Sequence, residues 1–150
     1  MIGAGTPAVS ADTAEVWTLN TDGGARGNPG PAGAGAVLTN PQGKVVKKVG
    51  KYLGTCTNNE AEYRALILGL DAAINLGTHH LSCYLDSELI VRQLNGEYKV
   101  KNANMKKFWA IVKTLEENFE SVKYSHILRD KNAHADEIVN QVLDGEYKVQ

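Results

Sequence analysis

The chain has 150 residues, with 16 Lys and Arg against 17 Asp and Glu for a net charge of −1, and 43% hydrophobic and 22% charged residues. That length suits one domain of ~100–150 residues around a single core, and the apolar content excludes a chain disordered throughout. No stretch approaches the ~20 apolar residues of a membrane span, and the near-zero charge argues against a generally basic protein that coats nucleic acid, although it leaves a local basic patch open.

Residues 1–15 are small and polar, with Gly3, Ala4, Gly5, Thr6, Pro7 and Ser10. They predict a flexible N-terminal tail without the charged and apolar regions of a secretion signal. The folded domain is expected over residues 16–144, followed by a short tail at 145–150. Residues 16–21 read as a strand stopped by Asp22-Gly23-Gly24, and residues 34–39 as a second. Pro41-Gln42-Gly43 supplies a turn, and residues 44–53 form a third strand whose lysines make a solvated face. Three strands with short turns suggest an antiparallel meander. Thr57-Asn58-Asn59-Glu60 matches a capping box, so a helix is expected to about residue 75, with Gly77 as its stop. Residues 81–85 form a strand ending at Asp86, and Ser87 opens a helix to Leu94. A helix over 104–118 would put Phe108, Ile111, Val112 and Leu115 on one side. A last strand over 121–128 and a last helix over 132–143 complete the order. The result is an α/β domain: a five-stranded mixed sheet, three strands antiparallel and then parallel, flanked by helices.

Cys56 and Cys83 lie in no CxxC pair and predict reduced thiols in a cytoplasmic protein; the four His residues have no spacing that would join them in a zinc site. Leu94-Asn95-Gly96-Glu97-Tyr98-Lys99-Val100 recurs as Leu143-Asp144-Gly145-Glu146-Tyr147-Lys148-Val149. It reads as two helix C-caps followed by extended segments, too short for an architectural repeat.

Four acids stand out. Asp22 and Asp86 end strands, where α/β sheets place ligands. Glu62 and Asp136 lie in the first turns of helices, where the dipole alone would account for an acid. Glu62, however, shares a stripe with Leu66, Gly69 and Ala73, and Asp136 shares one with Val139 and Leu143. Acids leaning toward a core need a partner, because burying unpaired charge is costly. Carboxylates without thiols or His pairs favour Mg²⁺ or Mn²⁺, and two such ions ~4 Å apart are a standard apparatus for in-line attack on a phosphodiester.

Thr21-Asp22-Gly23-Gly24-Ala25-Arg26-Gly27-Asn28-Pro29-Gly30-Pro31, then Thr57-Asn58-Asn59-Glu60-Ala61-Glu62, Leu85-Asp86-Ser87 and Asn132-Ala133-His134-Ala135-Asp136 resemble type 1 ribonuclease H, over roughly residues 16–144. The resemblance implies that Asp22, Glu62, Asp86 and Asp136 are the catalytic, metal-binding carboxylates, with Asp22 shared between two Mg²⁺ ions or their Mn²⁺ substitutes. It implies that Asn28, Asn58 and Asn59 contact or position a hybrid duplex, and that Thr57 and Asn59 contribute to a pocket for a DNA-strand phosphate. The loop carrying Gly23 and Gly24 would offer backbone groups to RNA 2′-hydroxyls, which distinguish RNA from DNA. Arg129 is a candidate for a phosphate or for the carboxylate cluster.

The chain departs from the family in three places. Glu88 stands where a Gln is frequent, and an ionised acid cannot donate a hydrogen bond. The loop that often carries a His before the last helix is missing, with His126 and His134 misplaced for that role. Lys99, Lys101, Lys106 and Lys107 leave no room for a basic handle helix, and Trp109 beside them reads as a core residue. The expected activity is endonucleolytic hydrolysis of the RNA strand of an RNA–DNA hybrid by a monomer, giving 5′-phosphate and 3′-hydroxyl ends, with double-stranded RNA open as a side substrate. A binding module with weak catalysis, or another nuclease on the same fold, is the alternative.

Overall fold

The computed structural model describes residues 15–148. Residues 1–14 of the expected N-terminal tail, Val149 of the repeat and Gln150 therefore lie outside the described residues. Five strands, β1 (Val16–Ala25), β2 (Gly30–Thr39), β3 (Val45–Cys56), β4 (His80–Leu85) and β5 (Ser121–His126), form one sheet in the order β3-β2-β1-β4-β5. β1 pairs antiparallel with β2 and parallel with β4; β2–β3 is antiparallel and β4–β5 parallel. The helices are α1 (Asn58–Asn75), α2 (Glu88–Leu94), α3 (Ala103–Glu116) and α4 (Ala133–Leu143), the last preceded by a 3₁₀ turn at Arg129–Asn132. The mixed sheet and the element order match the expectation from sequence.

The first strand is longer than expected. Asp22-Gly23-Gly24 does not stop β1, because β2 goes on pairing beside it, from Asp22↔Gly35 to Ala25↔Ala32. On its other side the parallel ladder with β4 ends at Thr21↔Leu85. Asp22 is thus in mid-strand toward β2 and at a strand end toward β4. Gly23, like Gly35 of β2, serves close approach rather than a turn. A Cβ on Gly23 would lie 2.1 Å from the Ala61 carbonyl oxygen of α1, and one on Gly35 2.6 Å from the Ala135 carbonyl oxygen of α4. β2 likewise starts at Gly30 rather than residue 34, since Gly33 lies under Val142 and Leu143.

Alternation along β2 sends Ala36 and Leu38 into the main core with Leu19, Tyr63, Leu66 and Leu70, while Gly33 and Gly35 face α4. The two helices therefore cover opposite faces. α1 is held by the expected capping box: Thr57 Oγ1 accepts from the Glu60 N–H (3.2 Å) and Glu60 Oε1 from the Thr57 N–H (2.9 Å). Its buried face includes Glu62, Leu66, Gly69 and Ala73, the stripe read from sequence. α3 starts earlier than expected, with Asn102 as its cap, and its stripe is Met105, Phe108, Trp109, Val112 and Leu115. Ile111 falls off that stripe and faces solvent. Trp109 packs against the core, as expected. β5 stops at His126; Ile127 makes one more bond, to the Leu85 carbonyl (2.9 Å), before the chain turns into the 3₁₀ segment.

The two copies of the short repeat adopt one geometry. After α2, the amides of Asn95, Gly96, Glu97 and Tyr98 bond to the carbonyls of Val91, Gln93, Arg92 and Arg92. After α4, those of Asp144, Gly145, Glu146 and Tyr147 bond to Asn140, Val142, Gln141 and Gln141 at the same offsets. Gly96 and Gly145 have φ of 79° and 72°, the left-handed conformation such caps require. After the second cap, Tyr147 lies half-buried against β3, its hydroxyl donating to the Lys48 carbonyl (3.4 Å).

Candidate active site

The end of β1 at the departing β4 edge is where acids converge. Asp22 is 8% exposed and Glu62 6% exposed, and Asp86 stands half-buried just past β4. Asp22, Glu62 and Asp86 each offer a carboxylate oxygen within 4.8 Å of the others. Glu62 reaches β1 because Gly23 lets α1 lie against the strand: the Gly23 N–H donates to Glu62 Oε1. The second oxygen, Oε2, is buried with no hydrogen-bond partner.

Burial pushes the Asp22 carboxyl up to about 7, with the charge of Asp86 adding to the effect. Burial likewise raises Glu62 well above the ordinary carboxylate range, reinforced by Asp22 and Asp86. The group is therefore electrostatically incomplete: ionising all three acids calls for positive charge between them. An all-oxygen donor set with an unpartnered buried oxygen fits a hard divalent cation.

Asp136 is near but outside this tight group. It lies on the first turn of α4, where Arg129 Nη2 approaches its Oδ1 (3.5 Å) and Asn140 Nδ2 its Oδ2 (3.4 Å). It still faces Asp22, whose carboxyl it helps to raise. All four acids line one open cleft of about 500 Å³.

The expected substrate residues divide. Gly23, Gly24, Asn58, Asn59 and Arg129 line that cleft. Asn28 and Thr57 do not. Asn28 Oδ1 accepts from the Asn58 N–H (3.0 Å), and Asn58 Oδ1 accepts from the Ala25 N–H (2.8 Å). These two bonds fasten the β1–β2 loop to the start of α1. Of Arg129's two candidate partners, the free protein shows the carboxylate. Glu88 accepts from its helix neighbour Arg92 (2.9 Å), which holds its carboxyl below the usual range.

Two residues escaped the sequence reading. Asn132 was visible only as the first letter of a motif, yet it is 2% exposed and donates to the Thr21 carbonyl (2.8 Å) and to Asp86 (3.4 Å). Arg26 appears in the sequence only as a letter of the Thr21–Pro31 motif; it lines the cleft and pairs with Asp144 (2.6 Å).

A protein-family model described as reverse transcriptase-like matches residues 20–142. The chain is 40% identical over 127 residues to the bifunctional protein Rv2228c of Mycobacterium tuberculosis, covering 84% of this chain and 35% of that protein. It thus spans about a third of the length of the first curated relatives it matches. Among solved structures, the ribonuclease H1 of the halophilic archaeon Halobacterium salinarum superposes with a TM-score of 0.85 at 35% identity, covering 87% of this chain and 98% of that one. LC11-RNase H1 in complex with an RNA/DNA hybrid superposes with a TM-score of 0.83 at 42% identity, covering 86% and 97%.

Proposed function

The chain belongs to the ribonuclease H family, and on that premise we propose that it hydrolyses the RNA strand of RNA–DNA hybrids endonucleolytically, leaving 5′-phosphate and 3′-hydroxyl ends. The observation that carries this reading is the convergence of Asp22, Glu62 and Asp86 with an unpartnered buried oxygen on Glu62. The hybrid bound to a similar protein supports the choice of substrate.

In this reading Asp22, Glu62 and Asp86 hold Mg²⁺, or Mn²⁺ in its place, and Asp136 completes the set from the cleft rim. When bound, a pair of such ions supplies an acidified water for attack and charge compensation at the leaving oxygen. The chain's own residues do the rest. The Gly23 N–H fixes one oxygen of Glu62 and leaves the other buried and without a hydrogen-bond partner. Asn132 ties Asp86 to β1. The Gly23–Gly24 backbone and Asn59 lie along the cleft wall, where they can meet the RNA sugar edge, and 2′-hydroxyl contacts would confine cleavage to RNA. Asn28 and Asn58 position that wall by the bonds described above.

The deciding experiment incubates the protein with an end-blocked RNA–DNA hybrid, double-stranded RNA and double-stranded DNA across a Mg²⁺ and Mn²⁺ series. Internal, metal-dependent cuts in the hybrid's RNA strand are expected. Binding of hybrid without turnover at any metal concentration would replace this reading with that of a binding module.

A further inference from the structure

Resting on the hybrid-cleavage reading, we infer that Arg26 contacts a backbone phosphate of the nucleic acid, and that Asp144 is an internal competitor that holds its guanidinium in the free protein. Four acids line the cleft, and Arg26 and Arg129 are the two cations among its lining residues. A polyanionic strand entering this cleft needs cationic partners at the rim. Arg26 stands on a fixed base: its N–H donates to the Pro31 carbonyl (2.8 Å), next to the last β1–β2 pair at Ala25↔Ala32. Its planar fork suits two-point contact with a phosphate.

In the free protein one arm of the fork is taken by Asp144, with Nη1–Oδ1 at 2.6 Å and the two side chains 49% and 44% exposed. Asp144 is the C-cap of α4, and that helix has no basic residue in its last turn. An acid there opposes the helix dipole and profits from an external cation. The cap itself does not need the acid. The twin cap after α2 has Asn95 at the equivalent position and makes backbone bonds at the same offsets. The Arg26–Asp144 pair is solvent-exposed and therefore weak, so a phosphate can displace it.

The test is hybrid binding by fluorescence anisotropy, with Mg²⁺ present, in a Glu62→Gln background that keeps the duplex intact. Arg26→Ala should make the slope of log affinity against log salt shallower by about one. Equivalently, the advantage of Arg26 should shrink roughly 3.5-fold between 50 and 200 mM salt. Arg26→Lys should keep the slope and bind more weakly at fixed salt, because the fork is lost. Asp144→Asn should tighten binding by about 1.5- to 5-fold, the range an exposed ion pair commands. In the Arg26→Ala background, Asp144→Asn should change nothing.

An unchanged slope for Arg26→Ala overturns the phosphate contact. Equal tightening by Asp144→Asn with and without Arg26 overturns the competitor role, because that result reports net charge alone. A protein that binds no hybrid at any salt while retaining its melting transition overturns the functional reading instead.

Discussion

Asn132 donates through Nδ2 to the Thr21 carbonyl at 2.8 Å, joining segments 111 positions apart in sequence. Its Oδ1 accepts from Asn20 Nδ2 (3.2 Å), and the same amide nitrogen reaches Asp86 (3.4 Å). One buried side chain thus binds the start of α4 to β1 and to the acid after β4. Asn132→Ala would leave the Thr21 carbonyl buried and unpaired, at a cost of about 1–3 kcal/mol. At ~2–4 °C per kcal/mol for a domain of this size, melting should fall by roughly 2–12 °C. Cleavage should also drop, since Asp86 loses its tether. A melting curve identical to the parent's would contradict this role.

Gly23 and Gly24 predict opposite outcomes one residue apart. A Cβ on Gly23 meets the Ala61 carbonyl oxygen and carbon at 2.1 and 2.3 Å, both backbone atoms that cannot turn aside. Gly23→Ala should push α1 off β1, destabilise by about 1–3 kcal/mol or more, and displace Glu62. On Gly24 the nearest atom is Val139 Cγ1 at 3.9 Å, ordinary contact. Gly24→Ala should fold with a melting temperature close to the parent's. Equal tolerance of both variants in chemical denaturation would show that α1 is not held this closely.

The raised acids predict a pH dependence with a definite sign. Asp22 is held at about 7 by burial in the fold and lies at 3.8 ordinarily. An acid whose folded pKa is raised contributes its full stability below the ordinary value and loses it as pH climbs through the folded value. Metal-free protein should therefore lose stability across pH 4–7 from this group, with Glu62, also raised, acting in the same direction. A divalent cation bound to the ionised acids reverses the loss, so the gain in melting temperature on adding Mg²⁺ should be larger at pH 8 than at pH 5. A gain independent of pH would mean that the cation binds elsewhere.

Replacing Asp22 with Asn removes one charge from the cluster and keeps its shape. In EDTA, Asp22→Asn should melt at or above the parent's temperature at pH 8, while hybrid cleavage in Mg²⁺ falls by at least about two orders of magnitude, as loss of one electrostatic contributor commonly does. Asp136→Asn should also reduce cleavage. Parental turnover in both variants would remove these acids from the chemistry.

The segment after the last cap carries weight as well. The ring of Tyr147 lies 3.0 Å from where a Cβ on Gly50 would be, and its hydroxyl reaches the Lys48 carbonyl. Truncation after Gly145 should uncover this part of β3 and lower melting by about 2–4 °C, the equivalent of ~1 kcal/mol. Unchanged melting would show that the tail is dispensable.

Local chemistry wrote itself plainly into this sequence where it is self-contained. The Thr57–Glu60 capping box, the Gly77 stop and the Glu62 stripe all depend on residues within a few positions of one another, and all appear where expected. The misreadings have a common origin in distant partners. Gly23 and Gly24 look like a strand terminator until β2 is seen pairing beside them. Ile111 looks like a core residue until the direction from which α1 packs on α3 is known. Asn132 and Arg26 gain their roles from Thr21, Asp86 and Asp144, which no nearby residue announces. Of the clustered acids, Glu62 was legible from the cost of burying charge on an apolar stripe, and Asp22 and Asp86 from their places at strand ends; the same burial argument applied to Asp136 does not tell that it sits at the rim rather than in the cluster.

The bond between Asn132 and Thr21 also sets when the site can exist during synthesis. β1, β2, β3 and α1 are consecutive and can associate as soon as they emerge, since their contacts are close in sequence. The cleft gains Asp136, Arg129 and the Asn132 tether only after the ribosome has passed α4. A nascent chain can therefore hold most of its sheet and still lack a finished cleft. Assembly of the cleft therefore marks the completion of this domain's own fold, from β1 through α4.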